Sequence, residues 1–262
     1  MVKEKIKIAI IGSGPSGLAA TLPFLEHQDK FDLTIISSGK SLFTKEILSM
    51  QEHLRGLDRD EQHEFWEKKN KSSKTLIPKK LFFGSSDIYK NNENDLKISN
   101  DIEFDVSNSI GGLSNVWGAN VSGFSKSDLT NYHNDNNYLR SELNLITKKF
   151  SISGFNDDID KNSNQILNYN KEPLKYCYQA KEIISSYNRY RNYFKKINLR
   201  IGFSKLAVKS GIEKKIGNCD NSGLELYGCH QNSIFNSFFQ FEKINKIFNL
   251  IEGTFVHEIK YR

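Results

Sequence analysis

Much of the reading rests on what this sequence has little of. Its 262 residues include only three cysteines, Cys177, Cys219 and Cys229. So small and odd a set builds no disulfide framework and fits a reducing compartment. Long apolar runs are missing too, and no stretch approaches the roughly 20 residues that a membrane span needs. The basic start, Met1-Val2-Lys3-Glu4-Lys5, leads into an apolar run that Gly12, Gly14, Pro15 and Gly17 interrupt. No small-residue cleavage site follows, so the segment does not read as a signal peptide. A cytoplasmic protein without a membrane partner is the expectation. A strong charge of one sign is also lacking: 37 Lys and Arg stand against 31 Asp and Glu, a net of +6. The lysines read as scattered, many beside Asn and Glu, as on solvated faces, so no nucleic-acid partner is expected. Internal repeats and low-complexity linkers are absent. What remains is 37% hydrophobic and 12% aromatic, enough for a packed core in one large domain or two small ones.

The first forty residues carry the clearest pattern. Ile6 to Ile11 is a nearly continuous apolar run, the signature of a central parallel strand buried on both faces. Leu18, Ala19, Leu22 and Leu25 recur at helical spacing, with Pro23 as an irregularity that removes a backbone donor. Asp32 to Ser37 predicts a second strand, and the three pieces together have the size of one βαβ unit.

Beyond that unit, residues 41–73 predict helix, anchored by Leu48, Leu54, Leu57, Phe65 and Trp66. Residues 70–110 read as loop with short strands such as Leu81-Phe82-Phe83. Residues 124–172 are dense in Asn and Asp and read as an excursion from the sheet. Tyr176 to Tyr193 predicts helix, Leu199 to Val208 strand, Ile234 to Phe248 helix, and Thr254 to Tyr261 a closing strand.

Between the first strand and helix lies Gly12-Ser13-Gly14-Pro15-Ser16-Gly17. In a G-x-G-x-x-G turn the first glycine allows a sharp bend, the second lets a pyrophosphate approach the backbone, and the third lets helix and strand pack closely. The helix N-terminus then presents N–H groups and partial positive charge to phosphate. Placed between a strand and an apolar helix, the motif predicts a dinucleotide site. An acidic residue is expected about 20 residues on, to hold the ribose hydroxyls. The sequence there is Ile35-Ile36-Ser37-Ser38-Gly39, so Ser37 supplies a neutral hydrogen bond instead.

A second glycine-rich segment reads Gly111-Gly112-Leu113-Ser114-Asn115-Val116-Trp117-Gly118-Ala119. Taken alone it is a turn with Trp117 as core filler. With the opening fingerprint, it resembles the corresponding element of the glucose-methanol-choline type oxidoreductases and their polysaccharide-cluster relatives. The resemblance implies that this segment runs along an FAD pyrophosphate toward the flavin. Gly111, Gly112, Ser114 and Asn115 would then be cofactor contacts, with Trp117 near the ring. Trp117 stands where many core members have Asn, which places the chain nearer the sugar-oxidising branch. A later strand in such proteins meets the adenine through its backbone, at the position of Val256.

The same branch carries a cysteine-rich stretch and then a Gly-Ser-Ile-Phe-Asn-like sequence. Here the stretch runs from Cys219 to Asn236, and a bacterial-ferredoxin spacing would fall on Cys219, Ser222, Glu225 and Cys229. Two thiols are too few for an iron–sulfur cluster, and Cys219, Cys229 and His230 do not fit a common zinc spacing. The pair reads as reduced loop cysteines, and no metal is expected. None of His27, His53, His63, His133, His230 and His257 sits in a catalytic context, so none is nominated as a base.

The resulting expectation is an α/β fold with a Rossmann-like FAD-binding domain, its parallel sheet incomplete at the C-terminus. Residues 1–123 would form its first part, 124–196 an irregular insertion or partial cap, and 197–262 its continuation. The resemblance implies oxidation of an alcohol, on a sugar or sugar derivative, by hydride transfer to FAD. In the family the catalytic His lies nearer the C-terminus than this chain reaches. Three readings stay open: a truncated product, one half of a split enzyme with a separate C-terminal polypeptide, or a small flavoprotein that borrows a partner. Rival readings are a non-catalytic FAD- or nucleotide-binding module and an NAD(P)-binding domain.

Overall fold

The computed structural model describes residues 4–71, 107–124, 136–159, 167–211, 217–221 and 229–260. The chain is an α/β protein with a three-stranded parallel sheet and a small antiparallel strand pair. In chain order its described elements are β1 (Ile6–Ile11), α1 (Pro15–Thr21), a 3-10 segment (Leu22–His27), β2 (Phe31–Ile36), α2 (Lys45–Gly56), α3 (Arg59–Lys71), a second 3-10 segment (Gly112–Asn115), β3 (Asn120–Val121), α4 (Asn136–Lys149), α5 (Tyr178–Arg189), α6 (Arg191–Lys196), β4 (Lys205–Leu206), α7 (Ser237–Ile244) and β5 (Asn249–Ile251). Two compact units result. One comprises Met1–Gly118, Leu224–His230 and Asn236–Arg262; the other comprises Ala119–Gly223 and Gln231–Phe235.

In the first unit the sheet order is β1-β2-β5, all parallel. Among the described residues β2 is therefore the middle strand and β1 an edge. The central, doubly buried position expected of Ile6–Ile11 belongs instead to β2, whose Leu33 and Ile35 are buried. Of β1 only Ile10 is buried, while Ile6 and Ile11 are 61% and 51% exposed. Among the described residues no strand pairs with the outer edge of β1.

Local chemistry explains most of the shifted boundaries. α1 stops at Thr21 and continues as a 3-10 segment with Pro23 in its first turn, because proline has no N–H for the α-helical ladder. Leu18 alone of the expected stripe is buried; Leu22 and Leu25 are half-buried and Ala19 exposed. The helix expected from Ser41 starts at Lys45, where the Thr44 hydroxyl accepts from the Ile47 N–H at 3.3 Å. α3 opens on a capping box: Asp58 Oδ1 accepts from the Asp60 and Glu61 N–H groups, and Glu61 Oε2 accepts from the Asp58 N–H. The expected anchors Leu54 and Trp66 lie in the core with Phe43, Ile110 and Phe238, and Leu57 and Phe65 pack against it. Leu48 does not, being 42% exposed.

The closing strand expected at 254–261 is not formed over its described residues 254–260; the third strand is β5, which ends at Ile251. Gly253, at φ +64°, turns the chain so that its N–H and that of Thr254 reach the Gly39 and Ser37 carbonyls. The helix expected over 234–248 is limited to α7 by its N-cap, where Asn236 Oδ1 accepts from the Phe238 N–H at 2.8 Å. The helix expected over 176–193 breaks at Tyr190 into α5 and α6. The strand expected over 199–208 shrinks to β4, paired with β3. Most of the 70–110 reading, with Leu81-Phe82-Phe83, falls outside the described residues, as do Ser222 and Glu225.

In the second unit short pieces are tied by side chains. The Asn170 carboxamide accepts from the Ile152 N–H and donates to the Phe150 and Thr147 carbonyls. The buried Asp158 carboxylate accepts from the Tyr187 hydroxyl at 2.8 Å and twice from the Arg191 guanidinium. The Arg191 bonds hold its carboxyl well below the ordinary value of 3.8, against the opposing pull of burial. Burial, then Asp158, pushes the Tyr187 hydroxyl upward. No helix among the described residues is long and apolar enough to cross a membrane.

Because the folded Asp158 carboxyl lies below its unfolded value, its stabilisation is complete above about pH 5 and erodes as the pH falls. Asp158→Asn should lower the thermal midpoint at pH 7. It should also flatten the loss of stability between about pH 5 and pH 2. Melting curves across that range check both; a variant with the wild-type acid slope would refute the assignment.

Candidate functional site

The site begins where β1 ends. Gly12 donates its N–H to the Ile36 carbonyl at 2.8 Å, which carries the sheet ladder into the turn. Its φ of +105° is open to glycine and costly to other residues. Pro15 occupies the first turn of α1, where its missing N–H costs nothing. No side chain caps that turn. Gly17 sits against the turn so closely that a Cβ would lie 2.0 Å from the Gly12 carbonyl oxygen. Gly14 is the opposite case: a Cβ there meets nothing within 4 Å. The turn is thus tight where helix meets strand and open on the face of Gly14.

The second glycine-rich segment comes to this turn across about a hundred residues of sequence. Gly111 donates its N–H to the Ser13 carbonyl at 3.1 Å. A Cβ on Gly112 would stand 3.2 Å from Gly14 Cα. Gly111 itself adopts φ +94°, and a Cβ on it would collide with the Asn115 carboxamide. The loop after β2 is held to the same segment, since Ile110 donates to the Lys40 carbonyl and Gly39 packs on the Asn108 backbone.

The polar side chains are mostly spent inside this arrangement. The Ser13 and Ser37 hydroxyls share a hydrogen bond of 2.7 Å, and both residues are buried. Ser114 Oγ donates to the Gly111 carbonyl at 2.5 Å and accepts from the Ser237 N–H at 2.9 Å. Asn115 Nδ2 donates to Ser109 Oγ and the Ile110 carbonyl. Asn115 Oδ1 and Ser237 Oγ are buried and have no partner. Ser16 is exposed, and Trp117 is half-buried with its backbone N–H on the Leu113 carbonyl. Val256 is half-buried, two residues beyond the Thr254 N–H that donates to the Ser37 carbonyl.

Thus the structure gathers Gly12 to Gly17, Ser37 and Gly111 to Asn115 into one locus at the ends of β1 and β2. Trp117 and Val256 lie on its flanking segments. Ser237 is a member that sequence reading missed. The available signal was Asn236-Ser237 before the apolar run of α7, a helix-start pattern. His230, nominated for nothing, is buried beside Gln62, and Arg55 donates to its carbonyl at 2.7 Å. Cys219 and Cys229 form no disulfide, and no metal-binding cluster occurs among the described residues. In the second unit a cavity of about 610 Å³ is lined by residues including Tyr169, Lys171, Glu172 and Ser210, and by none of the predicted site residues. No protein-family model matches the chain, and no curated protein is significantly similar to it.

Two substitutions at the turn separate packing from access. Gly17→Ala should cost about 3 kcal/mol, because a backbone carbonyl must move. Gly14→Ala should leave denaturant unfolding nearly unchanged. Equal losses for the two would show that the turn is not built this way. Ser114→Ala should cost about 1–3 kcal/mol by leaving the buried Ser237 N–H unpaired; a neutral variant would argue against that tie.

Proposed function

We propose that this chain is an FAD-binding part of a flavin-dependent oxidoreductase that oxidises an alcohol, on a sugar or sugar derivative. Its parallel sheet would be the first half of a Rossmann-like domain. The observation that carries the reading is the meeting of the two glycine-rich segments, through Gly111 N–H on Ser13 and Gly112 on Gly14. A dinucleotide pyrophosphate needs backbone without side chains on the surface it approaches. The open face of Gly14, beside an uncapped first helical turn, offers that surface.

The residues present fit a pyrophosphate better than they fit a charged ribose clamp. Gly14, Ser16 and Gly17 would hold the phosphates through their backbone. Gly111 and Gly112 would border the path toward the flavin. Ser114 and Asn115, whose side chains are committed internally, would shape that path and leave contacts to the backbone. Ser37, bonded to Ser13, supports a neutral adenosine end. FAD over NAD rests on the resemblance of Gly111 to Ala119 to the flavoprotein segment. When bound, FAD supplies the hydride acceptor for alcohol oxidation. No base is nominated among these residues, so the catalytic group would come from outside them, on the same or a partner polypeptide.

Titration of the purified chain with FAD, followed by quenching of flavin fluorescence, tests this reading. Saturable uptake is expected, with AMP and NAD competing poorly. Gly14→Ala should weaken uptake by about tenfold or more, equivalent to one lost close contact, while the fold persists. A wild-type chain that takes up no FAD would overturn the proposal.

A further inference from the structure

Charge along this chain is less even than its lysine scatter suggests. Between residues 175 and 200 there are seven cations and one carboxylate, Glu182, so this stretch alone equals the net charge of +6 of the whole protein. It forms α5 and α6, both in the second unit.

The structure separates the spent charges from the available ones. Arg191 and Lys195 face Asp158, and the Arg200 guanidinium donates to the Lys195 and Leu199 carbonyls. Lys181, Arg189 and Lys196 are exposed. Three tyrosines stand among them in the open: Tyr178, Tyr190 and Tyr193 are 77%, 56% and 62% exposed. At 3.6 residues per turn, Tyr178, Ser185 and Arg189 share one side of α5, opposite Ala180, Ile184 and Tyr187. Burial agrees, since Tyr187 is buried and Ala180 and Ile184 are half-buried.

We propose that this tyrosine-rich basic face of α5 and α6 binds single-stranded nucleic acid. Cations track a phosphate backbone, and tyrosine rings offer stacking platforms for unpaired bases, which duplexes do not present. An anionic bilayer fits less well. A surface helix in a membrane buries a broad apolar face, and the apolar side of α5 is turned inward. Ile183 in α5 and Ile197, just past the end of α6, are exposed and add little apolar area. This inference is independent of flavin binding.

The test uses the full chain and a fluorescein-labelled oligothymidine of about 20 nucleotides, read by anisotropy. Binding is expected near 50 mM salt and should weaken steeply by about 200 mM. Tyr178→Ala, Tyr190→Ala and Tyr193→Ala combined should weaken it by about tenfold or more and leave the salt slope intact. Lys181→Glu, Arg189→Glu and Lys196→Glu combined should abolish it. All six side chains are exposed, so both variants should keep the wild-type melting midpoint and FAD uptake. Absence of binding at low salt would overturn the proposal. So would a tyrosine variant that binds like wild type, which would mark a generic basic surface. Binding to phosphatidylserine vesicles but not to the oligonucleotide would assign the face to a membrane.

Discussion

Gly111 gives its backbone N–H to the carbonyl of Ser13, and Gly112 then rests on Gly14. Much of the first unit follows from that meeting. It fixes the segment from Ser107 to Asn115 beside the glycine turn and so brings Ser114 to the start of α7. The Ser237 N–H on Ser114 sets that helix, whose Phe238 stacks on Phe43 at 4.7 Å in the core. Only residues without side chains let two backbones approach so closely. The same constraint leaves one face of Gly14 open, while Gly17 packs against the Gly12 carbonyl in the same turn.

β2 is the second organiser. It carries parallel partners on both sides, and its last carbonyls and N–H groups tie the glycine turn, β5 and the 253–254 bend together. Ser37 at its end is buried and bonded to Ser13. The place where an acidic residue would meet a ribose is thus a neutral internal contact. β1, by contrast, shows Ile6 and Ile11 to solvent. Among the described residues no strand pairs with its outer edge.

The strand–turn–helix was legible because its signals are local. Apolar runs mark strands, glycine spacing marks the turn, and proline sits at the first helical turn. α2 and α3 were legible for the same reason, through their apolar anchors. Very short strands and ties made by single side chains were not. β3 and β4 have two residues each, and Asn170 and Asp158 bind segments tens of residues away. An alternating run at 254–260 also misled, since alternation gives strand propensity but no partner.

By itself, the sequence determined the glycine turn and its place between strand and helix. These depend on neighbours in the chain. Only the tertiary structure decided that β2 lies between β1 and β5, that Ser37 and Ser114 spend their hydroxyls internally, and that Gly111 meets Ser13. Those outcomes depend on which distant backbone group comes within hydrogen-bonding reach. A hydrogen bond is set by distance and direction in space, and separation along the chain carries neither.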